Sequence, residues 1–360
     1  PGTHPIQLSP FGRATEDFQA FVSRLPDRGE PVTPIAFLLS HAHGYEPVNY
    51  RCKMLNVFPM SRADLELREL FNVCWYPAGV VEGKPAAPDV QSMPSGVYGN
   101  IFDVLVDRPA RARAIFHYPI VWIAGDVDLS GAWPAVLEEY VRKGGTLVLS
   151  IEAARALSPK LLGLRPTGKT IVAEQWQPEG GEVRFSTPFE VAEVARDGAT
   201  VLAWATAKTP LLTRHAVGEG AVVVALVPRL LGQDERAHPA LPYLMNGLTA
   251  RLLPVEVRRA DGTPLAGEIL YQVNKTRDGY LVLLANNRGV DKTPNGVARV
   301  NRRAFVDVMV RTTLAVKSAR EHTEPRELQS VKREAGTEVR LRVHPGDVQV
   351  VGFALEARTK

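Results

Sequence analysis

Residues Tyr118–Ile151 spell a strand, a helix and a second strand in close succession, and this unit restricts the fold more than any other stretch. Ile120–Ala124 is a short continuous apolar run, as a strand buried on both faces requires. Asp126–Leu129 forms its exit loop, Ser130 is placed to cap a helix, and Pro134 suits that helix's first turn. Trp133, Val136, Leu137, Tyr140 and Val141 then recur on one helical face. Arg142 and Lys143 sit where the helix dipole favours cations, and Gly144 can close the helix in the left-handed conformation. Thr146–Ile151 is the next buried strand. Two strands joined by a helix in this way run parallel, with a right-handed crossover. The expectation is an α/β domain built on a parallel sheet.

The flanking sequence extends this reading. The first 30 residues form a leading segment with a helical patch around Glu16–Val22. Pro34–Ser40 reads as another buried parallel strand, followed by a loop of small and polar residues, His41–Tyr50. Ser61–Cys74 reads as a helix: Ser61 and Asp64 have capping-box spacing, and Leu67, Leu70, Phe71 and Cys74 make one apolar face. That spacing makes Cys74 a core residue rather than a reactive thiol. Pro77–Ser95 is a long loop with four prolines. Strands are predicted at Thr200–Ala205, Leu211–Val217 and Ala221–Val227, the last two joined as a hairpin through Gly218-Glu219-Gly220. Leu241, Leu244, Met245, Leu248 and Leu252 line a last helix.

From Glu268 the period changes to two. Val339, Leu341 and Val343 alternate with charged residues, and Asp278-Gly279 separates two strand-like runs, Ile269–Asn274 and Tyr280–Ala285, as a tight hairpin does. With runs near Phe305–Val310, Glu338–Val343 and Val348–Leu355 this predicts an antiparallel β-sandwich. The expected domains are an α/β domain over 31–257, a linker over 258–267 and the sandwich over 268–360. Two domains suit 360 residues.

Composition narrows the function classes. With 45% apolar and 23% charged residues, wholesale disorder and coiled coil are excluded. Two cysteines, Cys52 and Cys74, do not make a disulfide scaffold, although pairing between them stays open. No run reaches the length of a membrane span. The sequence begins at Pro1 without a leader pattern, so it reads as a mature chain or a piece of a longer one. Residues 256–360 carry 19 Lys and Arg against 13 Asp and Glu, a net +6 that can attract polyanions such as acidic polysaccharide. No nucleic-acid motif accompanies that charge, so nucleic acid is not the expected partner. All five tryptophans precede the sandwich, which argues against a tryptophan-platform sugar module.

Few motifs carry chemistry. Gly163–Thr170 matches the phosphate-loop pattern by letter, but a helical stretch, Ala153–Leu162, precedes it and the β-like Thr170–Trp176 follows, the reverse of what phosphate binding needs. His41 and His43 have metal-ligand spacing without a third donor close by, so no metal site is expected. Asp126, Asp128 and Glu152 fall just past strand ends, and in an open parallel sheet those ends share the edge where ligands bind. Glu152, Asp126 and His41 are the candidate acid–base residues of a free-standing carbohydrate hydrolase, with His43, Tyr45 and Asp128 as candidate substrate contacts. The plainer reading of Asp126 and Asp128 is that they satisfy turn N–H groups. Asn274-Lys275-Thr276 is an isolated glycosylation triplet of little weight. No cofactor is implied.

The segment YPIVWIAGDVDLSGAWPAVLEEYVRKGGTLVLS resembles the glutamine-amidotransferase-like domain of family-42 β-galactosidases and related glycoside hydrolases. GEGAVVVALVP is similar to a late hairpin of that domain, and LPDRGEPVTPIAFLLSHAHGYEP to the junction where such chains leave their catalytic barrel. The resemblance covers residues 24–255 and implies a flavodoxin-like, class I amidotransferase-like α/β domain. In amidotransferases the strand matching Thr146–Ile151 leads into a Gly-x-Cys-x-Gly elbow; here that stretch is Ser150-Ile151-Glu152-Ala153-Ala154, with a carboxylate in place of the thiol. The sole His-x-Glu, His322-Thr323-Glu324, falls in the sandwich. The resemblance therefore implies a non-catalytic, C-terminal part of a larger carbohydrate-active protein. It would form homo-oligomers and edge a glycan-binding cleft completed by a catalytic barrel, in a secreted or periplasmic setting.

Overall fold

The structure is a computed structural model and describes residues 8–41, 52–53, 58–75, 80–81, 84–85, 96–286, 288–291, 299–334 and 336–356. It divides into two compact units. One comprises Thr33–Tyr76 and Ile101–Leu252; the other gathers Pro1–Val32, Pro77–Asn100 and Leu253–Lys360. No helix among the described residues is long and apolar enough to cross a membrane.

The first unit is built on a nine-stranded sheet. In chain order its strands are β1 (Ile35–Leu39), β2 (Phe102–Val106), β3 (Ile120–Ile123), β4 (Thr146–Ser150), β5 (Leu164–Pro178), β6 (Arg184–Arg196), β7 (Thr200–Trp204), β8 (Pro210–Val217) and β9 (Gly220–Ala225). Their order across the sheet is β6-β5-β7-β8-β9-β4-β3-β1-β2. β2, β1, β3, β4 and β9 are parallel neighbours, whereas β5 to β8 join antiparallel. The sheet is thus mixed: the expected parallel strands form one part of it, and the hairpin predicted through Gly218-Glu219-Gly220 joins them to the antiparallel strands. The continuous apolar runs of β1, β3 and β9 are buried along their whole length, as strands covered on both faces must be.

The crossover between β3 and β4 forms as its sequence predicts, with helix α2 (Trp133–Arg142) burying Trp133, Leu137, Tyr140 and Val141. The Tyr140 hydroxyl donates to the carbonyls of Tyr118 (3.0 Å) and Thr146 (3.3 Å), tying the helix to both strands. Gly144 takes φ +103°. Ser130 does not cap: a turn through Gly131 at φ +64° intervenes, and the N-cap is Ala132 without a side-chain bond. Helix α1 (Arg62–Cys74) carries the predicted capping box, with Asp64 N–H donating to Ser61 Oγ and Ser61 N–H to the Asp64 carboxylate. Ala153–Leu162 is two short helices, Ile151–Ala154 and Pro159–Leu162. β5 and β6 make a ribbon longer than any strand foreseen there. A strand, not a helix, follows Gly163, so the phosphate-loop letters have no helix N-terminus behind them.

The second unit is an antiparallel sandwich. Its strands are β10 (Val255–Arg259), β11 (Ile269–Lys275), β12 (Gly279–Asn286), β13 (Val306–Thr312), β14 (Val316–Glu321), β15 (Gly336–Val343) and β16 (Val348–Leu355), with two-to-four-residue strands at Glu30–Pro31, Arg326–Glu327 and Ser330–Arg333. Six strands form one sheet (Glu30–Pro31, β11, β12, β16, β14, Arg326–Glu327) and four the other (β10, β13, β15, Ser330–Arg333). Both contribute to one core, including Val257, Val308, Val310, Val339, Val282 and Phe353. Arg258 and Arg259, read as the start of a linker, instead close β10 because their backbones pair with Met309 and Val308. Asn274 is buried and its side-chain amide donates to Arg28 O at 2.8 Å, which leaves no room for a glycan.

Candidate functional site

Because β1, β2, β3, β4 and β9 run parallel, the residues that follow them share one edge of the sheet. His41 follows β1, Asp107 follows β2, Asp126 and Asp128 follow β3, Glu152 follows β4, and Arg229 lies a short turn beyond β9. The side chains sort into two groups.

The first group centres on Asp107, whose carboxyl is fully buried. It accepts the backbone N–H of His41 (2.9 Å) and that of Asp128 (3.1 Å), and pairs with His41 Nδ1 at 2.6 Å. Burial pushes the Asp107 carboxyl up, but the hydrogen bonds from His41 and Asp128 outweigh it and hold the group below the usual carboxylate range. A carboxylate at Nδ1 makes that nitrogen the proton donor, and among the described residues nothing bonds Nε2 of the half-exposed ring. Asp128 accepts from Ser130 N–H at 2.9 Å, the turn role that its plainer reading foresaw, and the hydrogen bonds from Ser130 hold its carboxyl below the usual carboxylate range.

The second group centres on Arg229. Its guanidinium donates to Glu66 (2.9 Å) and to Asp126, and its backbone N–H donates to Glu152 Oε2 at 3.2 Å. Glu66 also accepts from Gly125 N–H at 3.2 Å. Arg229 sits at φ 55°, ψ 16°, a left-handed conformation that costs a non-glycine residue of order 1 kcal/mol or more. Burial raises Glu66 to about 7 against the opposing pull of Arg229, and Glu152 adds to the rise. The network ties helix α1 and the turns after β3, β4 and β9 into one lock. The same helix is clamped again by Arg68, which donates to Glu235 O (2.9 Å), and by Glu69, which accepts Ala237 N–H (3.1 Å).

The three predicted acid–base residues therefore part company: His41 joins Asp107, while Asp126 and Glu152 join Arg229. His43 and Tyr45 lie outside the described residues. Glu152 stands in a plain strand-to-helix turn; no residue from Ser150 to Ala154 takes a positive φ, whereas a nucleophile elbow is a strained turn. Cys74 is free and buried, and burial pushes its thiol up, away from nucleophilic use. Among the described residues no group of three or more His, Cys, Asp and Glu is gathered as a metal site. β6 lies against the segments beyond β9, with Ala192 N–H on Leu226 O and Gln233 N–H on Pro188 O, both at 2.9 Å. Sequence reading missed Asp107, Glu66 and Arg229. Only Asp107 left a trace, as the first residue past an apolar strand; Glu66 and Arg229 meet across 163 positions, a pairing with no local pattern.

No protein-family model matches the chain, and no curated protein matches it. Solved structures do. A GH42 β-galactosidase from G. stearothermophilus superposes with TM-score 0.51 at 14% identity, over 96% of this chain and 43% of that one. A β-galactosidase from Bacillus circulans sp. alkalophilus gives 0.52 at 11% identity, over 95% and 44%. Alpha-L-fucosidase isoenzyme 2 from Paenibacillus thiaminolyticus gives 0.59 at 10% identity, over 96% and 52%. At these identities the likeness is one of fold, shared with glycoside hydrolase chains, and this chain spans between 43% and 52% of their length.

Proposed function

We propose that this chain is a non-catalytic, C-terminal part of a glycoside-hydrolase-like protein. Its α/β unit is flavodoxin-like and amidotransferase-like in descent: the five parallel strands follow the order 2-1-3-4-5 in the numbering used here, with β9 as the fifth. It assembles copies of the protein and borders a glycan cleft completed by a catalytic barrel. The observation that carries this reading is Glu152. It occupies the position where an amidotransferase holds its thiolate, and its carboxylate is spent on Arg229 N–H, within a lock of Arg229, Glu66 and Asp126. A lock of this kind stiffens an edge and engages the carboxylate at that position.

The test is direct. The purified chain is assayed on aryl-β-galactosides, aryl-α-fucosides and glutamine, and its mass in solution is measured by light scattering. Turnover at the buffer rate, unchanged by Glu152→Gln, together with a mass that is a multiple of the monomer's, is expected. Turnover that Glu152→Gln abolishes overturns the reading.

One observation favours a second reading, a free-standing hydrolase. Asp107 orients His41 so that Nε2 stays available, the arrangement a general base needs. In that case glycoside turnover by the isolated chain falls at least about a hundredfold in His41→Asn, while Glu152→Gln stays active.

A further inference from the structure

The basic surplus of the sandwich is unevenly placed. On the four-stranded sheet the arginines are matched by carboxylates: Arg258 and Arg311 by Glu256, Arg340 by Glu338 at 2.6 Å, Arg342 by Asp307 at 2.7 Å. Arg288, Arg299, Arg302 and Arg303 are different. All four are exposed, and among the residues whose side chains are described none has a carboxylate within ion-pair distance.

These four belong to one hairpin system, in which Val290 pairs with Val300 and Asp291 with Arg299. Its base is held firmly. Asn286, 1% exposed, donates its side-chain amide to Ala304 O (3.0 Å) and Val343 O (2.9 Å) and accepts Arg288 N–H at 2.8 Å. Asn301 N–H bonds Gly289 O at 2.8 Å, and Asn301 Oδ1 accepts Arg303 N–H at 3.1 Å. Gly289 has φ +71°, and a Cβ there would lie 2.6 Å from that of Ala304, so the two sides of the base touch. Gathering guanidinium groups on a firmly held base opposes folding, and a bound polyanion relieves the repulsion.

We propose that Arg288, Arg299, Arg302 and Arg303 form a binding site for an acidic polysaccharide. Uronate carboxylates and sulfate esters both present oxygen pairs that the guanidinium fork takes two hydrogen bonds at a time. Single-stranded nucleic acid fits less well, because it needs successive free stacking faces. The exposed ring beside the cluster, Phe305, already has Arg342 stacked 3.8 Å from its centroid. The choice of polysaccharide over other polyanions rests on the reading of the chain as part of a carbohydrate-active protein.

The test is affinity electrophoresis of the full chain in gels containing polygalacturonate, dextran sulfate, neutral galactan or oligothymidylate. The variants are Arg288→Ser/Arg302→Ser/Arg303→Ser, the single reversal Arg302→Glu, and a control, Arg277→Ser/Arg320→Ser, with circular dichroism to check folding. Retardation by polygalacturonate, dextran sulfate or both, but not by galactan, is expected; the pattern shows whether carboxylate or sulfate is read. The apparent Kd should rise about tenfold in the triple variant, a factor of about two to three per exposed charge contact, should rise in the single reversal, and should stay unchanged in the control. No retardation by either polyanion overturns the proposal. So does retardation that the arginine variants leave intact, or equal retardation by oligothymidylate with the same loss. A hydrolytic activity killed by Glu152→Gln would instead remove the non-catalytic reading and leave the gel pattern as it was.

Discussion

Two buried residues titrate in opposite senses and should nearly hide one another. Glu66 is raised by burial from 4.5 to about 7, with Arg229 lowering it and Glu152 raising it. The stability that it contributes is complete below 4.5 and is lost as pH climbs through 7. His238 is lowered by burial from 6.5 to about 4, with Asp234 opposing. Its Nδ1 accepts Ala240 N–H at 3.1 Å, a bond that the neutral ring can make. Its contribution is complete above 6.5 and is lost as pH falls through 4. Each shift corresponds to about 3 kcal/mol as an upper figure. Between pH 4.5 and 6.5 the two slopes oppose. Glu66→Gln should therefore lose Tm on acidification relative to the parent chain, and His238→Gln should lose Tm on going from pH 5 to 7. Parallel thermal melts across that range check both; two variants with the parent's profile would remove the account.

At the scale of elements, local signals were legible and long-range ones were not. Helix α1 shows both. Its capping box could be read from Ser61 and Asp64, and Leu67, Leu70 and Cys74 are buried as their spacing requires. Ser61→Ala should cost about 1 kcal/mol through the lost Oγ acceptor, measured by urea denaturation, while Ser61→Thr keeps the acceptor and most of the stability. The polar face of the same helix defied its pattern. Asp64, Glu66, Arg68 and Glu69 are all buried: Asp64 is taken up by the cap at Ser61, and the segment after β9 supplies Arg229, Glu235 O and Ala237 N–H to the other three. Amphipathic periodicity reports one buried stripe and cannot show a second covering of charge partners. The crossover failed only at Ser130, where a glycine turn moved the start of helix α2 to Trp133. The β5–β6 ribbon escaped because Pro166 and Pro188 interrupt it and much of it is exposed, so it lacks the alternation that marks a half-buried strand.

For the molecule as a whole, the unit that holds the sandwich is assembled from three separate stretches of chain, and no periodicity within residues 268–360 announces this. Glu30–Pro31 adds a strand beside β11, with Glu30 opposite Lys275. Asn100 then lies along the same strand, its N–H on Tyr271 O at 2.8 Å and its side chain on Gln272 at 2.9 Å. Gly99, at φ +78°, lets the backbone pass directly over the Tyr271 ring, where a Cβ would collide with it. Substituting Gly99→Val adds both a clash and a left-handed β-branched residue, at a cost of about 2 kcal/mol. If the two units are separately cooperative, amide exchange should accelerate in β11 and β12 and stay at the parent rate in β3, α2 and β4. Exchange by mass spectrometry on the intact chain resolves the two sets. Equal acceleration in both would mean that the division into units has no energetic counterpart. Unchanged β11 would mean that the crossing at Gly99 contributes nothing to the sandwich, and that β11 is held by its pairing with Glu30–Pro31 and β12 alone.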